Sequence, residues 1–309
     1  MKSRAFYFQA RVTVTSLCLA AFGPLALAAD PAPRPPAPPP APVAAPAPAP
    51  AAAAEPAAPA APKPAPAKKP APKPKAAAHH PHWSYHGADG PENWGKLHPS
   101  YSLCDNGKTQ SPIDIRGSIG VDVPELKFNY RPSRFSVLNN GHTLEVAYPG
   151  GGSLNFATRT YQLVQFHFHR PAEERIEGKS FEMVAHLVHK DAQGALAVVA
   201  VLMTVGAENP MIQTLWNHIP LVSGQSMASA ADVMIDLNSF LPKERQLYNY
   251  MGSLTTPPCT EGVQWFVLKE AVEVSPDQLR TFARLYPNNA RPIQPVNDRL
   301  IKESRGRVR

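Results

Sequence analysis

RTYQLVQFHFH, residues 159–169, is the stretch on which the reading of this chain turns. It holds no Gly or Pro, is rich in aromatic and β-branched side chains, and shows apolar and polar residues in near alternation, the pattern of a strand buried on at least one face. Residues two apart in a strand face the same way, with Cα atoms ~6.6 Å apart. His167 and His169 therefore project together, and Phe166 and Phe168 project from the other face. Two imidazoles on one face invite a metal, but catalytic zinc takes three protein ligands and structural zinc four. The next apolar run, FEMVAHLVHK (181–190), offers His186 and His189, which have opposite parity. Only one of them can share the metal face, and periodicity does not choose between them. No thiolate lies nearby for a soft metal, and neutral imidazoles suit zinc. Three neutral ligands leave the charge of the ion intact, so a coordinated water would ionise near neutral pH.

Working outward, FSVLNN, HTLEVAY, LAVVAVLMTV and VQWFVLKEAV are further runs of strand length. Helical signals are fewer. SPDQLRTFARLY has Ser275 as N-cap with Pro276 at the first helical position, and MIQTLWNHI at 211–219 is a second helix candidate. The fold class expected is mainly β (α+β), a single large and mostly antiparallel sheet with peripheral helices.

The rest of the 309 residues divides by composition. Lys2, Arg4 and Arg11 precede an apolar run that exits through Ala26-Leu27-Ala28, so residues 1–28 read as a secretory signal peptide, with an uncleaved membrane anchor as the alternative. Residues 29–78 are nearly all Ala, Pro and Lys and include 19 of the 37 prolines. Such a segment stays extended at ~3.1 Å per residue and acts as a spacer, its partner unspecified. Residues 79–309 remain for one large folded domain. The net charge of +7 sits in the first two segments, because residues 82–309 hold 22 basic and 22 acidic side chains. No nucleic-acid surface is expected. Export removes Cys18 and leaves Cys104 and Cys259, which argues for one disulfide across a long loop in an oxidising compartment. The localisation expected is exported and periplasmic, with the spacer as a tether to membrane or surface.

WSYHGADGPENW, QSPIDI, VLNNGH, QFHFH, AHLVH, LAVVAV, GSLTTPPCTEGVQWFVLKE and NARPIQP resemble, in order, segments of the α-class carbonic anhydrases. The resemblance covers most of residues 82–303. It implies a large, mainly antiparallel sheet with zinc in a conical cleft, and reversible hydration of carbon dioxide to bicarbonate and a proton by zinc-bound hydroxide. It makes His167, His169 and His186 the zinc ligands and leaves His189 structural. Thr255, bonded to Glu173, would orient the hydroxide, and His142 would shuttle protons, the task for which imidazole titrates in the right range. Tyr85 and Asn140 would order the intervening water. Val188, Val198, Leu254 and Trp265 would form the substrate wall, while Gln165 and the backbone of Asn289 would hold His167 and His169. Cys104 and Cys259 match a bacterial disulfide, and Ser111-Pro112 and Pro257-Pro258 match cis peptides. A second copy of the chain is a candidate partner besides carbon dioxide and bicarbonate.

The sequence departs from the family at two places. Val184 stands where a glutamate is expected two residues before the third zinc histidine, and Glu174 stands where a histidine is expected after Glu173. Together they suggest an exchange in which Glu174 accepts from His186, with Tyr250 as a further partner. Glu182 is too far along the strand to substitute. Two other functions compete. A non-catalytic carbonic-anhydrase-like binding module would lack a zinc histidine, and a metallo-β-lactamase-like hydrolase would carry an aspartate two residues after HFH, where Pro171 stands.

Overall fold

LAVVAVLMTV, apolar without interruption, becomes the strand Leu196–Val205, and a strand of that composition must be covered on both faces. The computed structural model describes residues 81–305, and the expected signal segment, the whole of the expected spacer and residues 306–309 lie outside them. Among the described residues, thirteen strands join in one sheet. Leu196–Val205 pairs antiparallel with Met183–Lys190 and parallel with Glu261–Leu268. Beyond Met183–Lys190 follow Arg159–His169, Leu144–Ala147, Ser136–Asn139 and the edge strand Ser226–Ala228. Beyond Glu261–Leu268 follow Leu247–Ser253, Lys302–Ser304 and Ile119–Val121. The sheet is thus mixed: most pairs are antiparallel, while Leu196–Val205 also runs parallel to Val272–Val274, and Lys302–Ser304 to Ile119–Val121.

The two faces carry different cores. One holds Phe166, Phe168, Leu187, Val199 and Phe266 against the helices; the other holds Val184, Val198, Ala200, Trp265 and Tyr250. Arg159–His169 serves the first core with Tyr161 and Leu163 and then, at opposite parity, with Phe166 and Phe168. The change of parity has a structural cause. Leu163 pairs with His189 and Gln165 with Val188, so Val164 drops out of the ladder as a β-bulge and stands half exposed. Without that extra residue His167 and His169 would share the face of Tyr161 and Leu163. With it they face the other side.

The helices follow their caps. Pro276–Leu285 begins with a capping box between Ser275 and Gln278 and buries Leu279 and Phe282. Pro210–Trp216 is capped by the Asn209 side chain and is shorter than the expected 211–219. VQWFVLKEAV also divides, into Glu261–Leu268 and Val272–Val274. Leu247–Ser253 is a strand that the sequence pattern hid, because Tyr248, Asn249 and Tyr250 give no clear alternation. Ser111-Pro112 and Pro257-Pro258 are cis, and so is Arg170-Pro171.

Cys104 and Cys259 form a disulfide with a sequence separation of 155 residues. Closing a loop of that length removes enough chain entropy from the unfolded state to stabilise the fold by about 4 to 5 kcal/mol. Replacing both cysteines by serine is expected to lower the unfolding free energy by that order, read from denaturant midpoints. Equal midpoints would contradict it.

Candidate metal centre

The register of the sheet builds the site in transverse rows, because residues directly opposite in a ladder share a face. One row runs Glu145, His167, His186 and Ala200. A neighbouring row runs Gln165, Val188, Val198, Trp265 and Tyr250. His169 lies opposite Val184. His189 pairs with Leu163 and Ala197 on the helix side, where its Nε2 meets the Tyr130 hydroxyl at 2.8 Å. The ambiguity between His186 and His189 is thereby resolved in space: His186 joins the HxH pair and His189 does not.

One nitrogen of each ring is already engaged. His167 Nδ1 donates to Gln165 Oε1 at 2.9 Å, His169 Nδ1 to the Asn289 carbonyl at 2.7 Å, and His186 Nε2 to Glu174 Oε1 at 2.9 Å. What remains is Nε2, Nε2 and Nδ1, and one nitrogen from each of the three rings lies within 4.8 Å of the others. His169 Nε2 is buried and has no partner. A buried nitrogen left bare among two others is what a metal would satisfy. Burial and mutual repulsion push His167 down to about 3 and His169 well below its usual range, so both are neutral, the form that ligates. For His186 burial acts the same way, but Glu174 and then Glu173 outweigh it and raise it. The residues fit a zinc ion.

Asn289 ties the site together. Besides receiving His169, it accepts the Arg170 N–H on Oδ1 and donates from Nδ2 to the Phe168 and His142 carbonyls. Glu173 is buried, accepts the Arg291 N–H at 2.8 Å on Oε1, and has its carboxyl pushed up to about 7 chiefly by burial. Thr255 lies against Glu173 and its hydroxyl offsets part of that effect, although Glu173 Oε2 completes no hydrogen bond in this arrangement. Thr255 follows the end of Leu247–Ser253 in a tight loop closed by Leu254 N–H to the Thr260 carbonyl, with Cys259 inside it.

Glu174 takes the place expected of it against His186, and Val184 is fully buried in the apolar cluster beside it. Tyr250 is buried in that cluster too, but its hydroxyl and Glu174 Oε2 are both without a hydrogen bond, so Tyr250 is not a bonded partner of Glu174. Val198 and Trp265 are buried in the same cluster, with Val188 and Leu254 packed at its edge.

His142 follows a turn whose Gly141 has φ 87°, and the Asn140 Oδ1 accepts the N–H groups of His142 and Thr143. Asn140 therefore spends its carbonyl oxygen on shaping the turn. The His142 ring stacks on Trp83 at 3.7 Å and 8°, and burial, then His82, lowers its pKa. Tyr85 has a buried hydroxyl without a partner. Two residues went unremarked in the sequence. Arg291 is buried, donates to Gln110, Ser111 and Cys104, and links the disulfide loop to Glu173. Glu145 became visible only through the register with His167, which a strand alone does not reveal.

A profile described as eukaryotic-type carbonic anhydrase matches residues 89–305. The chain is 44% identical over 231 residues to a carbonic anhydrase of Neisseria gonorrhoeae, covering 74% of this chain and 90% of that one. A Nostoc sp. carbonic anhydrase is 42% identical over 227 residues, covering 72% and 86%. The solved α-carbonic anhydrase of Thermovibrio ammonificans, in complex with sulfanilamide, superposes with a TM-score of 0.69 at 41% identity, over 72% of this chain and 99% of that one.

The exchange of carboxylates yields a test. Glu174→Ala is expected to weaken zinc retention by about 10- to 100-fold, measured by competition with a chelator. Wild-type retention would mean that Glu174 does not support His186.

Proposed function

Because this chain belongs to the eukaryotic-type (α) carbonic anhydrase family, we propose that it hydrates carbon dioxide reversibly to bicarbonate and a proton, with zinc held by His167, His169 and His186. The observation that carries this reading is the convergence of three imidazole nitrogens within 4.8 Å, each ring's other nitrogen being bonded to an oxygen.

Zinc, when bound, supplies a nucleophile at neutral pH by lowering the pKa of water to about 7. The chain's own groups do the rest. Thr255, which lies against Glu173 and would donate to it, would turn its oxygen toward the reacting water and select the lone pair that attacks. Val188, Val198, Leu254 and Trp265 offer carbon dioxide, an apolar substrate, a wall that water does not compete for. His142 accepts the proton that hydration releases and hands it to buffer. Burial and then His82 lower its pKa, and the Trp83 stack holds the ring at the end of the Asn140 turn. The Tyr85 hydroxyl is free to order water on the way.

We read the protein as exported to the periplasm, with residues 29–78 as its spacer. The bridged Cys104 and Cys259 support an oxidising compartment. The non-catalytic alternative is disfavoured because the three histidines, Thr255 and Glu173 are all present and adjoin one another.

Stopped-flow hydration of carbon dioxide tests the reading directly. The purified protein is expected to be active, to lose activity with its zinc to a chelator, and to lose both through His167→Ala. A His167→Ala protein that retained stoichiometric zinc would refute the ligand set. His142→Ala is expected to lower turnover in weak buffer, by about 10-fold or more, with partial rescue by imidazole. Unchanged turnover without an imidazole response would remove the shuttle role.

A further inference from the structure

Glu145 is a carboxylate on the metal face that the mechanism above does not use. It lies opposite His167 across the ladder, and His167 lies opposite His186, so the three form one transverse row. Directly opposed residues place their Cβ atoms about 4.5 to 5.5 Å apart. On its other side Glu145 faces Leu138, which offers no charge. Leu144 and Val146, its chain neighbours, are fully buried in the core on the opposite face, so the strand cannot turn Glu145 away from the histidines without exposing them. Glu173 and Glu174 are buried and bonded, whereas Glu145 is partly exposed and makes no ion pair or hydrogen bond among the described residues. The register therefore puts a carboxylate in the row of His167 and His186, where it supports no side chain.

We propose that Glu145 determines the charge selectivity of the centre: it weakens the binding of anions and hastens the departure of an anionic product, and it leaves an uncharged substrate unhindered. This rests on the function proposed above, in which carbon dioxide enters neutral and bicarbonate leaves charged. Repulsion acts only on the charged species, so the residue discriminates by sign and not by shape. Over the ~5–10 Å between side chains of adjacent strands, in a cleft of dielectric between protein and water, Coulomb's law makes the effect on the order of fivefold in anion affinity. It is screened by salt.

The experiment compares full-chain wild type, Glu145→Gln and Glu145→Asp. Zinc content is measured first, and thiocyanate binding is then followed by titration calorimetry at roughly 10 mM and roughly 150 mM ionic strength. Glu145→Gln is expected to bind thiocyanate on the order of fivefold tighter than wild type at the lower ionic strength, with the gap narrowing at the higher. Glu145→Asp keeps the charge and is expected to stay near wild type. Equal affinities for wild type and Glu145→Gln at full zinc content would overturn the inference and leave the proposed function standing, as would a gap that salt does not change. Zinc-free wild-type protein would overturn the proposed function and this inference with it.

Discussion

One residue left out of a ladder governs the site. Val164 bulges from Arg159–His169, and by doing so it reverses the facing of everything after it on that strand. Tyr161 and Leu163 fill the helix-side core, Phe166 and Phe168 continue it, and the histidines between them are sent to the opposite face. Burying two imidazoles in the helix-side core instead would cost the desolvation of their polar nitrogens. The cores on both faces thus depend on the same offset as the metal centre does. Gln165, next to the bulge, is the first residue on the new face, and it holds His167.

Once the face is set, electrostatics decides what it can hold. Two neutral imidazoles, and beside the third ring the buried carboxylates of Glu174 and Glu173, make a pocket that favours a cation. The two adjacent carboxylates divide the work. Glu174 engages a ring nitrogen, while Glu173 is fixed by the Arg291 backbone and lies 3.5 Å from His169 Nδ1 and 3.7 Å from His186 Nδ1. Arg291 and Asn289 then join the site to the disulfide loop and to the His142 turn, so pieces far apart in sequence are positioned by hydrogen bonds that are almost all buried.

Much of this was legible in the sequence, and the reasons for success and failure are physical. The HxH pair, the apolar strand that became Leu196–Val205 and the capped helix at Pro276 each carry their signal locally. The choice between His186 and His189 was not local. It depends on which residue of Met183–Lys190 meets His167, a register that the bulge sets and that strand alternation cannot predict. Glu145 escaped for the same reason, since its only claim to the site is a partner 22 positions away in the ladder. Tyr250, expected as a further partner of Glu174, is buried near it, but whether two buried oxygens bond is a matter of orientation that sequence does not encode. Strand Leu247–Ser253, rich in Tyr and Asn, lacked the alternation by which strands are recognised.

The bulged strand and its neighbour bring three ring nitrogens together at one point, where zinc is proposed to bind. Crystals of the purified protein measured above and below the zinc absorption edge would locate the ion. A single anomalous peak is expected about 2.0 to 2.1 Å from His167 Nε2, His169 Nε2 and His186 Nδ1. A peak bound to His189, or no peak among the three rings in protein that hydrates carbon dioxide, would contradict it.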